Sequence, residues 1–468
     1  MLSKREPTMP LLVKNGEIIT ADARYQADIL CEGETISQIG PNLTAPPGAD
    51  VVDATGKFVF PGFIDPHVHI YLPFMGTYAK DTYETASRAA LVGGTTTTIE
   101  MVCPARGDDP LAAYELWKSQ AAGKSACDYA FHFGVTRFDA DTPKVLQKIV
   151  DDGTASFKVF LAYKGAFGVD DAELFRTLEL AKKLGVIVTA HCENAEAVSQ
   201  LQQKLLAEGK TGPEWHEPSR PPSVEASGVE HLATFAELTG AHVYVVHTSC
   251  SDALRAARRA KERGIKLWVE TVAPYLVLDR TYAEQPNFEG AKYVMSPPLR
   301  ELPHQQAIWT ALQSGLIDTV ATDHAPFDFA KQKEMGRNDF TKIPNGIPSI
   351  EERVHLLYTH GVAKGRIDLH RFVDLAGTKA AKLFGLFPRK GTIQPGADAD
   401  LVIFDPSYRG TISAKTQQMN VDYSAFEGWT IIGRSDTVTV RGKVQVQGGK
   451  FIGDPQRGQM LRRPATHG

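Results

Sequence analysis

Two histidines one residue apart, His67 and His69, stand in the run GFIDPHVH (62–69). Residues i and i+2 of a strand face the same way, so both imidazoles can grip one cation. Single His or Asp residues close other short apolar runs: His191 in VIVTAHCE, His247 in HVYVVHTS, and Asp323 followed by His324 in DTVATDHA. One half-buried histidine at a strand edge is ordinary packing. Four histidines and a carboxylate at equivalent strand ends point instead to a metal site. These donors suit zinc, manganese, iron, cobalt or nickel, and zinc is the usual ion of a hydrolytic site. Lys158 is the one charge inside the apolar run SFKVFLAY. An unpaired buried ammonium is costly, so the head group escapes at the strand end, finds a counter-charge or loses its proton. A neutral amine in a dry pocket can also take up carbon dioxide as a carbamate, whose two oxygens can bridge two cations. On the residues alone these readings stay open.

The elements that must position these residues follow from the texture of the chain. Short apolar runs at 62–69, 95–100, 128–135, 156–163, 186–193, 242–249, 266–271 and 318–325 alternate with amphipathic stretches such as DAELFRTLELAKKLG and DALRAARRAKERG. Strands alternating with helices are the pattern of βαβ units, and eight of them predict a closed α/β (β/α)8 barrel of the TIM type, with its site at the C-terminal strand ends. An open doubly wound sheet would need a Gly-rich phosphate turn after the first strand, where this chain has IYLPFMGT. Segments 11–60 and 391–452 read as antiparallel strands, with hairpin signals at Asn15-Gly16 and Arg441-Gly442. The expected organisation is a small β domain from residues 1–61 plus 391–455, a barrel at 62–390, and a tail at 456–468. The tail lacks a core pattern of its own and is expected on a neighbouring subunit or disordered.

Composition narrows the function classes. At 468 residues and 43% hydrophobic the chain can bury a large core plus an accessory domain. Lys plus Arg number 51 against 55 Asp plus Glu, a net −4 without a run of one sign, so neither nucleic acid nor an anionic membrane is the expected partner. No apolar stretch is long enough for a membrane span, and the start MLSKREPTMPLLVKNGE lacks a signal-peptide pattern. Five scattered cysteines without a CxxC pair are expected to be reduced thiols in a cytoplasmic protein.

The motifs DPHVH, FKVFLAYK, HCEN, VVHTS and ATDHAPF resemble those of the dihydropyrimidinase and hydantoinase family of cyclic amidohydrolases. VFPGFIDPHVH, GGTTTTIE, YVMSPPLR, DFTKIPNG, FPRKGTIQPGADADLVIFDP and TISAKT extend the likeness over nearly the whole chain, in the right order. The resemblance implies a barrel flanked by a small β-sandwich from both chain ends and a binuclear centre, usually zinc. His67, His69 and Asp323 would hold one ion, His191 and His247 the other, and carboxylated Lys158 (N6-carboxylysine) would bridge them. A hydroxide shared by the two ions would attack the ring carbonyl of a dihydropyrimidine (dihydrouracil, dihydrothymine) or a 5-substituted hydantoin. Asp323 would carry the proton to the departing amide nitrogen, and Tyr163 would donate to the developing oxyanion. Ser296 in MSPPLR and Asn345 in IPNG would anchor the ring largely through backbone atoms, His324 would pack in support, and the assembly would be a homotetramer.

The loop after the histidine pair separates related activities. Dihydroorotase-like chains carry a cation there for the substrate's carboxylate; this chain has Ile70, Tyr71, Leu72, Pro73, Phe74 and Met75. An apolar wall, with Phe160 and Phe167 able to extend it, favours a neutral ring over dihydroorotate and over the polar substrate of an allantoinase. A non-catalytic assembly protein of the collapsin response mediator type would lack the metal ligands, which are complete here. Cys192, in HCEN where many relatives have Ala, is expected to point away from its neighbour His191.

Overall fold

The computed structural model describes residues 9–467; Met1–Thr8, part of the start read above for a signal sequence, and Gly468 lie outside the described residues. All eight anticipated barrel strands form, at Phe63–Val68, Thr95–Val102, Asp128–Gly134, Ser156–Phe160, Ile187–His191, Val243–Val245, Leu267–Val272 and Thr319–Ala321. They pair in parallel in chain order. The ring closes where Val68 bridges His324: the His69 amide donates to the His324 carbonyl at 2.8 Å and the Asp323 amide to the His67 carbonyl at 3.0 Å. Each strand is covered by helices outside and packed inside, which is why the sequence runs read as unbroken rather than alternating.

The helix Asp171–Leu184 illustrates how the outer layer is specified. Asp170 caps its start by accepting from the Glu173 amide, and the Glu173 carboxylate accepts from the Asp170 amide, a reciprocal capping box. Leu174, Thr177, Leu178 and Ala181 recur on one face and are buried, and Gly185 ends the helix at φ 67°, a left-handed position where a Cβ would be strained. No helix among the described residues is long and apolar enough to cross a membrane.

Strands from the two chain ends join one continuous sheet, its halves meeting where Phe58–Pro61 pairs antiparallel with Leu401–Phe404. Arg441-Gly442 makes the expected hairpin, with φ 45° and 76° between Thr430–Val440 and Lys443–Gln447. Asn15-Gly16 does not. It is a bulge inside the strand Leu11–Ile19, where the register shifts between Val13 and Gly16. The left-handed backbone that suits a tight turn, φ 61° at Asn15, equally suits a bulge, and a Cβ on Gly16 would collide with Val59.

The tail also departs from expectation. It packs on its own barrel, at the N-terminal strand ends: the Leu461 amide donates to Tyr129 at 2.7 Å, the Arg463 amide to Gly153 at 2.9 Å and the His467 amide to Gly185 at 2.9 Å. Buried Leu461, Arg463 and His467 each dock at a different spot. An extended segment of this kind has no periodic core pattern to read. Nearby, buried Lys390 reaches Asp128 and Asp400, both at 2.6 Å, and Arg441 also pairs with Asp128, fastening the terminal sheet to the barrel.

Candidate active site

Asp65 of DPHVH ties the first strand to the eighth, accepting from the Thr322 hydroxyl at 2.6 Å and amide at 3.2 Å. That junction brings Asp323 to the histidine pair. Asp323 Oδ1 lies 3.2 Å from His67 Nε2 and 3.2 Å from His69 Nε2, and the three residues form a buried cluster able to hold a metal ion. On the facing strands His191 Nδ1 lies 2.9 Å from His247 Nε2, and the His67 and His247 rings are 5.3 Å apart. Lys158 is wholly buried and lines the same site.

The expected strands at 156–163, 242–249 and 318–325 stop short of their apolar patterns. Tyr163, His247 and Asp323 instead turn out of the sheet with left-handed backbones, at φ 60°, 37° and 52°. Such conformations are costly outside glycine and concentrate at functional sites. The sequence pattern ran on because His247 and Asp323 are buried as well and Tyr163 is half-buried.

Several buried donor atoms have no hydrogen-bond partner among the described residues: His67 Nε2, His69 Nδ1, His247 Nδ1 and Lys158 Nζ. Orphaned polar atoms are rare in folded interiors, and two of these, His67 Nε2 beside Asp323 and Lys158 Nζ, fit a group that would satisfy them, whereas the free Nδ1 atoms of His69 and His247 lie across their rings from the nitrogens that meet Asp323 and His191. The electrostatics agree. Burial pulls His69 down to about 4 and lowers His191 and His247, leaving neutral imidazoles with lone pairs to offer. Burial also lowers the Lys158 amine. For Asp323 burial works upward, but His67 and His69 overcome it and hold the carboxylate well below its usual range.

Two carboxylates that orient the histidines escaped the sequence reading. Glu270, in the seventh strand, accepts from His67 Nδ1 at 2.8 Å, from the His247 amide at 2.9 Å and from the Tyr244 hydroxyl at 2.8 Å. This fixes the His67 tautomer, with Nε2 left free toward the site. Glu193 lies 2.7 Å from His191 Nε2 and accepts from Arg220; against the upward push of burial, Arg220 and His191 hold it at about 2. Both carried a signal of the kind that marked Lys158, a charge in or beside an apolar run. Replacing Glu270 by Gln is expected to weaken metal binding at the His67 cluster by about 10–100-fold, read by chelator competition, because the amide can present either an acceptor or a donor to His67.

The cluster opens into a cleft of about 490 Å³ lined by His69, Lys158, His191, His247 and Asp323 on its floor. Leu72, Phe74, Phe160 and Phe167 form the anticipated apolar wall, with Phe74 and Phe167 stacked at 6.0 Å and Phe74 edge-on to Tyr163 at 5.7 Å. Only part of the 70–75 loop takes part. Ile70 is buried and Tyr71 turns to Trp117, while Glu100, another carboxylate the sequence reading passed over, holds both their amides, at 3.0 and 2.6 Å. Opposite the wall, Asn345 Nδ2 donates to Ser296 Oγ at 3.0 Å and approaches the Tyr163 hydroxyl at 3.5 Å. Lys158 is the one Lys or Arg among the described residues that line the cleft. His324 lies behind, bonded to Asp81 at 2.9 Å and to the Ser349 amide. Cys192 Sγ points to the Ala190 carbonyl, and the thiol that does line the cleft is Cys103.

The model of the amidohydrolase family matches residues 58–444. The D-hydantoinase of Geobacillus stearothermophilus is 48% identical over 456 residues, 97% of either chain. Dihydropyrimidinase 1 of Caenorhabditis elegans is 36% identical over 97% of this chain and 94% of its own. The solved structure of the D-hydantoinase (dihydropyrimidinase) from Thermus sp. shares 65% identity and a TM-score of 0.96, covering 98% of this chain and 100% of that one. With matches of this extent around a buried His-His-Asp cluster, the chain belongs to the amidohydrolase family, among its hydantoinases and dihydropyrimidinases.

Proposed function

We propose that the chain opens the cyclic amide bond of dihydropyrimidines such as dihydrouracil and dihydrothymine, or of 5-substituted hydantoins, with two divalent ions, zinc by donor chemistry. The observation that carries this reading is the orphaned, wholly buried Lys158 amine, which lines a cleft with His69, His191, His247 and Asp323 and is the one Lys or Arg among the described residues there. His67, His69 and Asp323 would hold one ion and His191 and His247 the other. The latter pair lacks a carboxylate of its own facing the cleft, and a carbamate on Lys158 would supply one to both. When bound, the ions would polarise the scissile carbonyl and lower the pKa of a water towards about 7.

The chain's own groups supply the rest. Asp323, ionised beside His67 and His69, accepts a proton at its carboxylate and returns it to the leaving nitrogen, which a poor amide leaving group requires. Tyr163 stays protonated, since burial raises its phenol, and donates to the oxygen that gains charge. Ser296 and Asn345 hold the polar edge of the ring, while Leu72, Phe74, Phe160 and Phe167 take its substituent and keep water out. A homotetramer in the cytoplasm completes the proposal; it rests on the family resemblance, and mass measurement in solution checks the assembly.

A panel of dihydrouracil, hydantoin, phenylhydantoin, allantoin and dihydroorotate, assayed with metal quantified, tests the reading. Ring opening is expected for the neutral rings, with dihydroorotate at least about 100-fold slower, because its carboxylate would be desolvated without a cation at a cost of about 3 kcal/mol. Activity confined to dihydroorotate would contradict it.

A further inference from the structure

Lys333 is a second wholly buried lysine, and it is not part of the cleft lining. It opens a single 3-10 turn, Lys333–Gly336, in the long excursion after the eighth strand. Its ammonium donates to three backbone carbonyls: Val294 at 3.0 Å, Pro344 at 2.7 Å and Gly346 at 2.8 Å. Burial disfavours the charged form, yet three acceptors call for three N–H donors, which the protonated amine alone possesses.

The three carbonyls belong to the two loops that face the ring. Pro344 and Gly346 flank Asn345, and Val294 stands two residues before Ser296. The Gly346 amide adds a direct bond to the Val294 carbonyl at 2.9 Å, and a Cβ on Gly346, at φ 149°, would strike the Ala325 carbonyl, so the loops are packed with no slack. The Pro344–Asn345 peptide is trans, and in a trans peptide the N–H points opposite to the C=O. Holding the Pro344 carbonyl on Lys333 therefore turns the Asn345 amide away from Lys333.

We propose that Lys333 is a positioning residue, whose three hydrogen bonds set the backbone of the Ser296 and Asn345 loops in the orientation that binds the polar edge of the ring. Its effect falls on substrate affinity, since it touches neither the reacting atoms nor any proposed metal ligand. The inference rests on the ring opening proposed above.

The test compares wild type, Lys333→Met and Lys333→Gln on whichever of dihydrouracil and hydantoin the wild type opens faster. Methionine keeps the stem and removes every donor, whereas glutamine keeps two. In Lys333→Met, KM is expected to rise at least about 10-fold while kcat changes by less than about 3-fold and metal content stays at the wild-type level; Lys333→Gln should fall between it and the wild type. An unchanged KM in Lys333→Met, or a loss of kcat and metal with KM unchanged, overturns the proposal. If Lys333→Met does not fold, Lys333→Gln decides: a raised KM at full metal content supports the role, and a wild-type KM overturns it. A wild type that opens neither ring would instead be a failure of the proposed function.

Discussion

Replacing Asp323 by Asn is expected to remove ring opening almost completely, lowering kcat by about 10³-fold or more while the fold persists. The size follows from two roles held by one carboxylate. As the general acid and base it carries about 10²–10⁴-fold of the rate, and an amide cannot take up the proton. As a donor 3.2 Å from both His67 and His69 it also contributes negative charge to the cluster, which Asn lacks. The fold should survive because the position has a left-handed backbone, φ 52°, and Asn tolerates that conformation as well as Asp does. Steady-state kinetics with circular dichroism and metal analysis on the same sample checks this. Near-wild-type kcat in Asp323→Asn would remove Asp323 from the proton path.

Lys158→Ala should have an effect of the same order by a different route. The Lys158 amine is buried without a hydrogen-bond partner among the described residues, so the side chain costs stability unless something occupies its end. Removing it takes away the carbamate proposed to join the two donor sets, and bound metal should fall together with activity, the latter by about 10³-fold or more. Acetate or propionate, each supplying a carboxylate with a short stem in place of the deleted side chain, should restore part of both. Full activity in Lys158→Ala without an added carboxylate would show that no bridging carbamate is used.

Much of the fold was legible because burial on both faces writes a barrel strand as an unbroken apolar run, and the ligands stood out as polar residues ending such runs. Glu270 and Glu193 were as visible as Lys158 in principle. Their meaning was not, since Glu270 meets His67 across 203 positions of sequence and only the closed barrel makes them neighbours. The left-handed backbones at Tyr163, His247 and Asp323 left no trace, because none of the three is glycine. Asn15-Gly16 misled for the opposite reason: the backbone it favours serves a bulge as well as a turn. The tail could not be read from itself, because what orders Leu461 and Arg463 is the barrel end they dock on. Lys333 likewise sits in a loop of mixed composition, where nothing local foretells three carbonyl partners.

The function proposed for this chain is that of a two-ion enzyme acting on a neutral cyclic amide. Elemental analysis of the purified protein, with ring opening of dihydrouracil and hydantoin assayed on the same sample before and after exhaustive chelation, tests it most directly. About two divalent ions per chain are expected, with activity lost on their removal and regained when zinc or manganese is returned. Undiminished ring opening by metal-free protein would contradict the account.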